Sequence, residues 1–300
     1  MVEQQPVPSI QLDHIIILLP HRDLLNPPAW VTSNFTLSPG GRHADGKTEN
    51  KLIVFQDGTY IELIAFIDDH AANKGGHWWG DKRYGVIDWA LTSPDVQDVG
   101  RVAARLDEWR SKQQDGAMAA FAYAQPRRGG RRKPDGQEIA WFVTFPEGIR
   151  RGLAPFWCHD VTARELRVSA SAQGLRHPCG ALGVSNIFVH TPDIARLHGA
   201  YDAVLAHPGN PTKNVTSEHG FDWVVEAPQV LAARPTPNVS LRPAVGGQQA
   251  NDLEAEIRIE LVVEASGGPQ VPNPIDERIG PNGEGRIEIS FLRTEHSGLQ

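Results

Sequence analysis

The stretch GGRHADGKTEN (residues 40–50) sets two glycines beside a histidine, a threonine and an asparagine. Gly40 and Gly41 permit backbone angles that other residues avoid. His43, Thr48 and Asn50 therefore either point polar groups at a ligand or satisfy a turn of their own. A second cluster, Arg127, Arg128, Arg131, Arg132 and Lys133, precedes Pro134-Asp135-Gly136. Arg131 or Arg132 at such a place holds a carboxylate or phosphate on a small substrate through its forked donors, or else sits on a solvated hairpin tip. His77-Trp78-Trp79 offers flat apolar rings, expected here to fill a seam between structural units rather than to cover a cavity. Gly41 to Thr48 (GRHADGKT) has the glycine spacing of a phosphate loop, but no strand signal leads into it, so it is not taken as one. No nucleophile elbow, HExxH motif, dinucleotide fingerprint or kinase signature occurs, so hydrolase and dinucleotide chemistry have no support.

The elements that must position these groups show as a repeat. Residues 85–96 read GVIDWALTSPDV and residues 183–194 read GVSNIFVHTPDI, without a gap. Each is a strand running into Ser/Thr-Pro-Asp. That pattern predicts a helix capped at Ser93 or Thr191, with Pro94 or Pro192 at its first position and Asp95 or Asp193 in its first turn. Val96, Val99, Val102, Ala103 and Leu106 then recur at helical spacing, as do Ile194, Leu197, Tyr201, Val204 and Leu205. LDHIIILLPHRDL (12–24) opens a third copy. Further strands follow each opening: 51–55 and 59–66; then 121–125, 138–145 and 153–159; then 221–226, 256–265 and 286–293. The organisation expected is a flexible lead-in over 1–11 and three β-α-β-β-β units near 10–70, 84–162 and 182–294. The proline-rich stretch 227–252 is expected to be a loop.

Composition narrows the class. An apolar content of 40% predicts a packed core. A net charge of −7 argues against general nucleic-acid binding. The longest apolar run, 117–124, is far short of the roughly 18 residues a spanning helix needs, so no membrane partner is expected. Two cysteines, Cys158 and Cys179, make no metal-binding pair. With no export signal at the N-terminus, a reducing, cytoplasmic location is expected.

LDHIIILLP, then GGRHADGKTEN, then KLIVFQDGTYIELIAF resembles the glyoxalase-like domain family of the vicinal oxygen chelate superfamily. RRKPDGQEIAWFVTFPEG followed by LAPFWCHD resembles the second half of the same domain. The resemblance covers about residues 12–165, and 182–294 looks like a further unit of that type. It implies an α+β fold in which repeated βαβββ units form cupped mixed sheets around a small-molecule cavity. In metal-dependent members the ligands come from the first and last strands of each unit. Carried over, that implies a divalent ion (Zn, Fe, Mn or Ni) held by His14, Glu62 and Asp88, with Glu62 also serving as the catalytic carboxylate. If unit one pairs instead with unit three, Glu288 and Asn186 replace Asp88.

Two functions are open on these grounds. One is a lyase, isomerase or dioxygenase acting on a small molecule, with His43, Asn50, Arg131 and Arg132 as substrate-binding residues. The other is a protein of the same fold that sequesters a small-molecule ligand without chemistry. Oligomeric state is not legible.

Overall fold

The computed structural model describes residues 9–113, 120–133, 136–169, 171–192, 194–206, 220–229, 236–244, 256–263 and 271–293. Most of the lead-in, the turn residues Pro134 and Asp135, and the expected first-turn Asp193 lie outside these residues.

The first unit runs β1 (Gln11–Leu18), two short helices α1 (His21–Leu25) and α2 (Ala29–Thr32), then β2 (Ser38–Arg42), β3 (Thr48–Val54) and β4 (Tyr60–Phe66). In β1 the alternation of a strand divides the side chains. Ile15 and Ile17 enter the main core, while Ile16 and Leu18 enter a second apolar cluster on the opposite face. A linker carrying α3 (Ala71–Lys74) leads to the second unit: β5 (Gly85–Thr92), α4 (Asp98–Ser111), β6 (Ala122–Tyr123), β7 (Arg127–Arg132), β8 (Glu138–Thr144), β9 (Pro146–Glu147) and β10 (Phe156–Asp160). In each unit the opening strand lies parallel to the closing one, β1 to β4 and β5 to β10. The two units join where β1 runs antiparallel to β5.

The longer strands of these units curl in the order β2-β3-β4-β1-β5-β10-β8-β7. The curl brings its two ends together. Ala44 N–H donates to the Gly130 carbonyl at 2.9 Å, and His43 faces Arg131 across an isolated antiparallel bridge. An enclosure of about eight strands has an interior wide enough for side chains and one small ligand.

The remaining chain differs from the single third unit expected. After α5 (Arg164–Arg167) come β11 (Ala181–Thr191), α6 (Ile194–Leu205), β12 (Phe221–Val224) and β13 (Asn238–Pro243). The strand parallel to β11 is β13, which lies inside the stretch expected to be a loop. Next come β14 (Glu256–Val263), β15 (Ile275–Ile279) and β16 (Gly285–Arg293). β14 runs antiparallel to β11 and parallel to β16. That repeats the relation of β1 to β5 and to β4, so 256–293 forms a fourth unit that has no helix among the described residues.

The dodecamer match corresponds to equivalent strands. Opposite β5, Ile16 pairs with Asp88 and Ile17 with Val86, leaving Ile87 as the extra residue of a bulge. Opposite β14 the same break falls between Val184 and Asn186. Asp88 and Asn186 thus follow the same bulge in both copies. The helix signal is displaced. α4 starts at Asp98, and the Ser93 hydroxyl donates to the Asp95 carbonyl instead of capping. Thr191 ends β11, and α6 starts at Ile194. No helix among the described residues is long and apolar enough to cross a membrane.

Candidate functional site

A bulge in β1 builds the first part of the site. Leu12 pairs with Leu91 and His14 with Ala90, so Asp13 is the extra residue. Neighbours in a regular strand point to opposite faces, whereas a bulge re-aims them. Here the Asp13 carboxylate and His14 Nδ1 meet at 2.7 Å, both buried. Asp13 also accepts from Arg164 at 2.5 Å and from Arg167 at 3.0 Å. Burial pushes its pKa up, but Arg164, Arg167 and His14 outweigh burial and hold it well below the usual carboxylate range. With Asp13 at Nδ1, the ring leaves Nε2 facing the cavity and Glu62. Tyr60 stacks on the imidazole with ring centroids 4.6 Å apart, and Phe156 packs edge-on.

The parallel register of β1 and β4 sets Glu62 beside Ile16, two residues along the face that carries His14. One Glu62 oxygen lies 3.5 Å from His14 Nε2, and the other lies 3.5 Å from His43 Nε2. The His43 Nδ1 is tied to the Thr48 hydroxyl at 2.7 Å. Asn50 donates from Nδ2 to Glu62 at 2.6 Å, while its Oδ1 accepts from Gly41 N–H at 2.9 Å and from Arg131 at 3.1 Å. Those partners fix which way the carboxamide points. Burial raises the Glu62 pKa, but the His43 and His14 imidazoles and the Asn50 hydrogen bond bring it down to about 2.

The glycine pair has a specific task. A Cβ on Gly40 would lie 2.1 Å from both the Asn50 carbonyl oxygen and Oδ1. Because the backbone atom cannot swing aside, Gly40→Ala is expected to destabilise the fold by about 1–3 kcal/mol, the usual cost of overpacking. Urea unfolding of the variant checks this; an unchanged midpoint would show that the hairpin relaxes freely.

His14, His43, Thr48, Asn50, Glu62 and Arg131 line a cavity of about 140 Å³. Trp78, Trp79, Trp141, Val143, Phe145 and Phe156 line the rest. The His77-Trp78-Trp79 segment therefore walls the cavity and does not simply fill a seam.

The structure brings together His14, His43, Asn50, Glu62 and Arg131, and keeps the other candidates apart. Asp88 does not line the cavity. Its carboxylate accepts from Arg151, from Trp79 Nε1 at 2.7 Å and from the Trp89 N–H at 3.0 Å. Arg132 is exposed, and its Nε donates to the Gly136 carbonyl at 3.2 Å. Glu288 lies on β16 and pairs with Arg258 and Arg286. Asn186 lies on β11, where it accepts from the Ser240 hydroxyl at 2.9 Å. The third imidazole-or-carboxylate partner, His43, stood in the sequence only as a substrate contact.

Among the described residues, one group of three ligand-type side chains has all its donor atoms within 4.8 Å of one another: Asp13, His14 and Cys158. It makes a poor ligand set. Asp13 is engaged by two arginines, and burial disfavours the Cys158 thiolate. His14, His43 and Glu62 are more openly spaced, yet each imidazole has its Nδ1 tied to an oxygen and its Nε2 near an ionised carboxylate. Outer partners orient metal-binding histidines in this way, and two imidazoles with one carboxylate suit a divalent transition metal. The donor types suit an ion, although the three donor atoms do not all lie within 4.8 Å of one another.

No curated protein matches the chain. Among solved structures, it is similar to a hypothetical protein from Staphylococcus aureus at 13% identity, covering 94% of this chain and 100% of that one, with a TM-score of 0.61. It is also similar to a xylose isomerase-like TIM barrel/4-hydroxyphenylpyruvate dioxygenase fusion protein at 8% identity, covering 99% of this chain and 51% of that one, with a TM-score of 0.52. At such identities the likeness is one of fold. A family model described as a glyoxalase-like domain matches residues 12–205. The chain belongs to the glyoxalase-like domain family.

Proposed function

We propose that the chain is a lyase, isomerase or dioxygenase acting on a small flat molecule through neighbouring oxygens, with one divalent ion held by His14, His43 and Glu62. The observation that carries this reading is the Glu62 carboxylate, with each oxygen 3.5 Å from a different imidazole Nε2 in a cavity also lined by aromatic rings. A bound ion supplies Lewis-acid polarisation of substrate oxygens. The His43 and His14 imidazoles and the Asn50 hydrogen bond favour the ionised form of Glu62, the form a ligand needs. Its part is that of a ligand rather than a proton shuttle. Asp13 holds the His14 ring, Thr48 holds His43, and Asn50 holds Glu62. The tryptophan and phenylalanine walls offer apolar faces for a flat substrate to lie against.

Elemental analysis tests this. Protein purified without added metal, or reconstituted with Zn, Fe(II), Mn or Ni, is expected to hold one ion per chain. A chain that takes up none of these ions belongs to the second reading, a protein that binds its small molecule without chemistry. One observation favours that reading. By strand register the second unit offers Phe156 where the first has Glu62, and its Asp88 is engaged by Arg151.

A further inference from the structure

Arg131 is 5% exposed and lines the cavity. It makes one bond to Asn50 Oδ1 at 3.1 Å and one to the Arg167 carbonyl at 2.8 Å, which leaves most of the guanidinium's roughly five donors unused. Its Nε is buried without a partner. No ion pair to Arg131 is found among the described residues, although Arg164, Arg167 and Arg151 all have carboxylates. A buried guanidinium without a counter-ion is unfavourable, and Arg is the side chain best shaped to grip a carboxylate. Of the charged side chains lining the cavity, Arg167 is matched by Asp13 and Asp160, and Arg128 and Asp45 are exposed, which leaves Arg131 as the buried cation with no ion pair among the described residues. At about 140 Å³ the cavity is close to the engineered apolar cavity of about 150 Å³ in another protein that accepts benzene.

We infer that the substrate is a small aromatic carboxylate whose anionic group is received by Arg131 while its ring lies against Trp141 and Phe145. This rests on the cavity being the functional site, as proposed above, but it does not require the ion.

Calorimetric titration with benzoate, and with benzamide as its neutral counterpart, tests the inference on chelator-treated protein and again with Mn²⁺ added. Wild type is expected to prefer benzoate by about 10- to 100-fold in both conditions, the span of a hydrogen bond to a charged group. Arg131→Gln should remove the preference, Arg131→Lys should keep part of it, and Arg132→Gln should leave it unchanged. If Arg131→Gln does not fold, the comparison of Arg131→Lys with wild type decides. Equal binding of the two probes, no binding of benzoate, or a preference that survives in Arg131→Gln overturns the inference. A preference seen only with Mn²⁺ also overturns it, because the carboxylate then goes to the ion. A preference without any Mn²⁺ uptake upholds Arg131 and rejects the metal.

Discussion

Asp13→Asn should destabilise the protein by about 3–5 kcal/mol, the usual loss when one partner is removed from a buried charge cluster. Asp13 is fully buried and accepts from Arg164, Arg167 and His14. The asparagine keeps the shape but leaves Arg164 with Asp160 at 3.3 Å and the Gly58 carbonyl at 2.9 Å. Arg167 retains Asp160 at 2.5 Å, so the helix carrying both arginines should loosen rather than detach. The folded-state pKa of Asp13 is depressed, so the unfolded chain binds the proton more readily and stability rises with pH. This contribution is complete above the ordinary carboxylate pKa of about 4 and is lost as pH falls through the lower folded value. Urea unfolding of wild type should therefore show a drop below about pH 4 that Asp13→Asn lacks in part. A variant as stable as wild type at pH 7, with the same acid profile, would show that the arginines find other partners.

Much of the frame was legible because its signals are local. The match of 85–96 to 183–194 identifies strands that share even the position of a bulge. His14 and Glu62 meet because parallel β1 and β4 place them on one face, as the family resemblance implied. The misses are long-range. Asp88 looked available because Arg151, its partner, is distant in sequence and lies in a loop with no pattern of its own. His43 joins Glu62 only because the β2–β3 hairpin folds over β4 and clips to β7. The strand Asn238–Pro243 hid among prolines, where strand signals are weakest. The fourth unit was merged with the third because no helix separates their strands in the pattern. The bulge at Asp13, which joins two adjacent side chains that a regular strand would hold apart, has no signature in residue type.

Removing the carboxylate at the centre of the site should have the largest functional effect. Glu62→Gln keeps the size and the hydrogen bond to Asn50 but removes the charge that lies between His14 and His43. Loss of an outer partner typically costs about 10- to 100-fold in metal affinity, and loss of a ligand should exceed that. His14→Ala should do the same while leaving the fold largely intact, because the sheet is held by the apolar faces of its strands. Titration of chelator-treated protein with Mn²⁺, followed by electron paramagnetic resonance, reads this directly. The account predicts one Mn²⁺ per wild-type chain and at least about 100-fold weaker binding in Glu62→Gln. Wild type that binds no Mn²⁺, or a variant that binds it as tightly as wild type, would contradict it.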